Sequence, residues 1–119
     1  MKQYSVKLNV SPFEPGIEIA GDLVIKMHVP YSDQIATIQV NPNITDHRPS
    51  ADVPGMKIRQ VTETRETSET QTLQFELKKR TTHQIAVGQK MYVIELVNIG
   101  YTEKEGQKFK SYEFEVIEK

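Results

Sequence analysis

The sequence predicts an all-β protein, built as a single-domain antiparallel β-sandwich of about seven to nine strands with Greek-key-like connections. Three observations carry that expectation. Stretches between turns alternate apolar and polar residues with a period of two, which places successive side chains on opposite faces of a strand. Turn-forming residues recur at short intervals along the chain. No apolar stripe at helical spacing exists for a helix to bury. A small β-barrel satisfies the same pattern and is the alternative architecture.

The first strand is the clearest. Tyr4, Val6, Leu8 and Val10 share one face, and Gln3, Ser5, Lys7 and Asn9 share the other. Ser11-Pro12-Phe13-Glu14-Pro15-Gly16 is turn chemistry. A short strand over Ile17 to Ala20 is interrupted by Gly21-Asp22, and Leu23, Ile25, Met27 and Val29 then alternate with Lys26 and His28. Val24 is apolar on the second face, which predicts cover on both sides at that end. Pro30 ends the strand because it cannot donate to a ladder.

After a linker over 31–34, Ala36, Ile38 and Val40 alternate with Thr37 and Gln39. Residues 41–55 form the longest apparent loop, with Pro42, Pro49 and Pro54. Met56 and Ile58 open a strand through Val61, and Leu73, Phe75 and Leu77 mark the next. The polar run between them, Thr62 to Thr72, is read as the far halves of two long strands meeting near Thr67-Ser68, a protruding β-ribbon over 56–79, with a mobile loop as the alternative. Ile85 and Val87 lead to Gly88, and the apolar run Met91 to Val97 reads as a central strand covered on both faces. Gly100 to Gly106 is expected to be a polar turn. In the last strand Tyr112, Phe114 and Val116 face the core. Phe109 is out of phase with them, which suggests a bulge near Lys110-Ser111. The expected core is Val6, Leu8, Ile25, Met27, Ile38, Phe75, Leu77, Val93, Tyr112, Phe114 and Val116.

A length of 119 residues fits one domain spanning 1–119, large enough to bury a core without metals or disulfides. Fifteen Lys and Arg against 16 Asp and Glu give a net charge of -1, so bulk electrostatics favour neither nucleic acid nor an anionic membrane. Cysteine is absent, which excludes disulfides, thiolate metal sites and cysteine nucleophiles. The N-terminal residues run straight into an alternating strand without a signal-peptide pattern, and no apolar window spans a bilayer. A cytoplasmic location is the expectation.

Candidate chemistry is sparse. Asp46, His47 and Arg48, with Ser50 and Asp52 nearby, place a base, a carboxylate and a cation on the long loop, an arrangement suited to binding an anion or activating water. The same residue types also compose ordinary exposed turns. His28, His47 and His83 lack the spacing that puts two imidazoles on one face, so no metal site is expected. Glu113 and Glu115 share a strand face, and an ionic partner across the strand suits them better than glycosidase chemistry, which needs a buried carboxyl. Lys104, Lys108, Phe109, Lys110 and Tyr112 interleave bases with aromatics, but flanking Glu103, Glu105, Glu113 and Glu115 would repel phosphate.

The residues therefore point to a small non-catalytic binding or assembly module, with no cofactor and with a protein partner or a second copy of the chain, as a homodimer, for company. Its alternative is a small-ligand or hydrolytic site at one end of the sandwich, built on the 41–55 loop with His47 as base or anion contact and Arg48 as charge clamp.

Overall fold

The computed structural model describes residues 2–11, 14–28, 32–42, 48–49, 58–63 and 67–119. They form ten strands: β1 (Lys2–Asn9), β2 (Gly16–Ile19), β3 (Leu23–Met27), β4 (Ile35–Asn41), β5 (Arg48–Pro49), β6 (Ile58–Glu63), β7 (Gln71–Glu76), β8 (Thr82–Val87), β9 (Lys90–Lys104) and β10 (Gln107–Glu118). Two antiparallel sheets pack face to face. One has the order β1-β10-β9-β8, the other β5-β6-β2-β3-β4-β7. Neither closes into a barrel. In the larger sheet β2, β3 and β4 follow one another as neighbours, and β6 returns to lie beside β2, the Greek-key arrangement.

The period-two pattern decides which residues meet between the sheets. Tyr4, Val6 and Leu8 of β1 are buried, as are Ile25 and Met27 of β3, Ala36, Ile38 and Val40 of β4, and Tyr112, Phe114 and Val116 of β10. Phe75 of β7 meets Phe114 edge-on, with ring centroids 5.2 Å apart, and so joins one sheet to the other. Val24 is buried on the opposite face of the larger sheet from that core, as its apolar character at that phase predicts.

Several expectations are corrected by the register. β6 and β7 do not form a ribbon: β6 pairs with β2 and β5, while β7 pairs with β4, so three strands stand between them. The long two-stranded element is instead β9–β10, and Gly100 lies within it opposite Ser111. Its turn is only Glu105-Gly106, both at positive φ (52° and 76°), the type I′ geometry that matches the twist of a hairpin. The bulge sits on the partner strand, at Val97, where the register shifts between Glu113 and Phe114. Met91 to Val97 is not covered on both faces. Tyr92 and Ile94 point into the core, whereas Val93 is only half-buried on the other face. A continuous apolar run carries no phase, so the sequence does not say which half faces inward. Leu77 lies just past β7, half-buried against the core rather than within it.

Candidate functional site

Two places in the molecule concentrate chemistry. The first is a polar cluster where the β2–β3 turn meets the smaller sheet. Ala20 and Gly21 take positive φ there (54° and 71°), and Asp22 donates its amide to the Ile19 carbonyl. This tight turn aims the Asp22 carboxylate at β9. Lys90 donates to Asp22 Oδ2 at 2.8 Å and lies 3.3 Å from Glu118 Oε1, and Tyr92 Oη makes a short hydrogen bond to the same Asp22 oxygen. Tyr4 Oη and Glu118 Oε2 are buried close by without a hydrogen-bond partner in good geometry.

The electrostatics of this cluster are those of a clamp. Burial alone would push the Asp22 pKa up, but hydrogen bonds from Lys90 and Tyr92 outweigh it and hold the carboxyl below its usual range. Hydrogen bonds to Asp22 and Glu118 raise Lys90. Burial, then the Asp22 hydrogen bond, pushes Tyr92 up, and burial with the Glu118 charge raises Tyr4. Each of these shifts moves a pKa further from neutral pH, so Asp22 and Lys90 stay charged and Tyr92 and Tyr4 stay neutral. The cluster therefore holds fixed charges between the sheets and is poorly matched to proton transfer, which wants a pKa near the working pH.

The second place is the edge of β9. β8 pairs with β9 only over Lys90 to Glu95, and Thr82 faces Glu95 as the last register pair. Beyond it, Leu96 and residues 98–104 pair with β10 on one side, with Val97 bulged between them, and among the described residues no strand pairs with this stretch on the other. The direction of the free groups follows from the ladder. The Lys110 carbonyl accepts from Val10 N, on the side away from β9. Its register partner Tyr101 is therefore in a non-hydrogen-bonded pair with β10, and turns its own N–H and C=O to the open side. Ile99 and Glu103, two residues either way, do the same.

Apolar exposure coincides with this open edge. The large apolar side chains exposed among the described residues are Met91, Val97, Ile99 and Tyr101, all on β9, and the last three stand on its unpaired half at 43%, 37% and 65%. Lys108 sits 4.7 Å above the Tyr101 ring and orients it. An open groove of about 580 Å³ runs alongside, between Glu95–Ile99 and the connector Leu77, Lys78, Lys79 and Arg80. Arg80 grips Glu95 through two hydrogen bonds of 3.0 Å, which fixes the connector against the strand.

Of the residues singled out from sequence, Asp46 and His47 lie outside the described residues. Arg48 is placed only through its backbone, in the short edge strand β5 opposite Glu63. His28 and His83 are engaged separately: His28 shares a hydrogen bond with the Gln39 amide, and His83 lies 2.6 Å from the Gln74 carbonyl and edge-on to Phe75. No group of three metal-ligating side chains occurs among the described residues. Lys110 rests over Tyr112 of its own strand, and Lys108 over Tyr101 of the neighbouring strand β9. Lys7 stands opposite Glu113 in the register, the ionic neighbour expected for that face. Among the described residues no helix is long and apolar enough to cross a membrane.

The open edge was missed by sequence reading because Gly100 looked like a turn. The available signal was the phase of Val97, Ile99 and Tyr101, which continues the strand through that glycine. Comparison with protein-family models, with curated proteins and with solved structures finds no match.

Proposed function

We propose that the protein is a non-catalytic assembly module that accepts an extended strand along the open edge of β9. The observation that carries this reading is the coincidence of unpaired backbone with exposed apolar side chains over 96–104. Natural sheets blunt exposed edges with charges, prolines or bulges that turn them away. Here the only charges lie at the tip, at Glu103 and Lys104, and the bulge at Val97 leaves the edge beyond it straight enough to pair with β10 up to the turn. Strand addition of this kind draws affinity from main-chain hydrogen bonds and selectivity from alternate side chains. Ile99 and Tyr101 supply both, and the groove beside Leu77–Arg80 gives an incoming strand room. A cytoplasmic setting belongs to the same reading.

The test uses a short end-blocked peptide of alternating valine and threonine, fluorescently labelled and titrated with dilute protein. Saturable binding is expected for wild type and its loss for Ile99→Pro. That proline removes an N–H that points away from β10, so the hairpin itself keeps its bonds. Binding that survives Ile99→Pro, or no binding to wild type, overturns the reading.

A further inference from the structure

We infer that the strand received at this edge is the same edge of a second copy, paired antiparallel about a two-fold axis at Gly100. The inference rests on the strand-accepting reading above and adds the partner and its register. The open stretch begins at Leu96, the first residue past the Thr82–Glu95 pair, and ends at Lys104, the last before the turn. Gly100 is its midpoint. An isologous contact requires each residue to meet its mirror position across the axis. Val97 is the extra residue of the bulge, so in a register centred on Gly100 Leu96 and Val97 together oppose the second copy's Glu103, and the ladder runs from Leu96 to Glu103 in both copies. Centring on Ile99 would set Glu95, past the bulge, against the second copy's Thr102, and would drive that strand into Thr82 of β8.

The Gly100 register is also chemically self-complementary. Ile99 faces the second copy's Tyr101, and Tyr101 its Ile99, the aromatic and β-branched pairing that stabilises neighbouring strands. Both residues turn their backbone groups to the open side, so these are the hydrogen-bonded pairs of the new ladder. Asn98 meets Thr102, a polar pair. At the axis two glycines meet, with no side chains to clash. Glu103 of the second copy arrives opposite Val97, beside the groove wall formed by Lys78, Lys79 and Arg80. Lys79 pairs with Glu76 and Arg80 with Glu95, and the arriving carboxylate brings a further partner to the cations of that wall. Side chains exposed in one copy, Val97, Ile99 and Tyr101, are thereby covered by the other.

The chain has no cysteine, so a single introduced thiol reports the register. A Cβ at Gly100 would meet only Ser111 Oγ, at 3.8 Å, an ordinary contact. In a non-hydrogen-bonded antiparallel pair the two Cα atoms at the axis lie about 4.5 Å apart, inside the disulfide range. Gly100→Cys is expected to oxidise readily to a covalent dimer, whereas Asn98→Cys, which faces Thr102, is not. Sedimentation equilibrium should give a dimer for wild type and a monomer for Ile99→Pro, with the same far-UV circular dichroism for both. Equal cross-linking of the two cysteine variants overturns the register. A wild-type monomer at tens of micromolar (roughly the concentration range of ordinary weak dimers) overturns self-pairing. If that monomer still binds the valine–threonine peptide, the strand-accepting edge stands with a different partner. If it binds neither, both readings fall.

Discussion

At the scale of single residues, the molecule separates packing from charge pairing. Phe75 is fully buried between the sheets, and Phe75→Ala should cost about 3–5 kcal/mol, read from denaturant midpoints at constant slope. Leu77→Ala should cost clearly less, because Leu77 is only half-buried at the rim. The period-two pattern made Phe75 legible, yet it extended one step too far at Leu77, where the strand has already ended. Asp22 illustrates the opposite case. Its place in the chain showed only an interrupted strand, and nothing in sequence links it to Lys90 or Tyr92, about seventy residues away along a chain whose loop closures are set by topology. The structure gives it a pH signature. A carboxyl whose folded pKa is depressed contributes stability above its ordinary value of 3.8, and loses it as pH falls through the lower folded value. Lys90 is raised, so its contribution holds below 10.5 and is lost only at higher pH. The melting-temperature gap between wild type and Asp22→Asn should therefore be level from about pH 5 to 9. It should narrow in strong acid, where the wild-type carboxyl becomes neutral. A gap that changes most near pH 7 would contradict the clamp.

Among the elements, the β9–β10 hairpin explains what sequence reading resolved and what it misjudged. The strands themselves were legible, since Tyr112, Phe114 and Val116 alternate cleanly. Their extent was not, because Gly100 and Gly106 look alike as letters while their backbones differ. Gly106 has φ of 76° and closes the turn, whereas Gly100 sits in ordinary strand geometry opposite Ser111. Phe109 is out of phase with the core because it stands on the other face of β10, which runs through Lys110-Ser111 without a bulge; the irregularity lies on β9 at Val97, and one strand's pattern cannot reveal its neighbour's bulge. Glu105 is the strained point of this hairpin, at φ 52° without a glycine's freedom. Asn tolerates that conformation better and forms the preferred type I′ pair with glycine. Glu105→Asn should raise stability by roughly 0.5–1 kcal/mol, seen as a higher melting temperature with unchanged circular dichroism. A decrease would mean that the Glu105 side chain makes a contact worth more than the backbone strain.

For the whole molecule, the sandwich was legible and its wiring was not. Alternation tells each strand which face is inward but never which strand lies beside it, so β6 and β7, adjacent in sequence, were placed together although they stand apart in the sheet. The two sheets share one core, with Phe75 of one against Phe114 of the other. Unfolding followed by tyrosine fluorescence and by far-UV circular dichroism should accordingly trace one coincident transition, and separated midpoints would show that the sheets melt independently. The pairing of Lys2 with Glu118 has a further consequence, for manufacture. β1 precedes every other described strand, yet its only neighbour in the sheet is β10, the last. A ribosome adds about 5–20 residues per second, so the row Val6 and Leu8 stays without its partner strand for roughly 5–20 s while the intervening chain is made. The strands of the larger sheet all fall within that interval and can assemble during it. In the nascent chain β1 is thus, among the described strands, the one that waits longest for its neighbour.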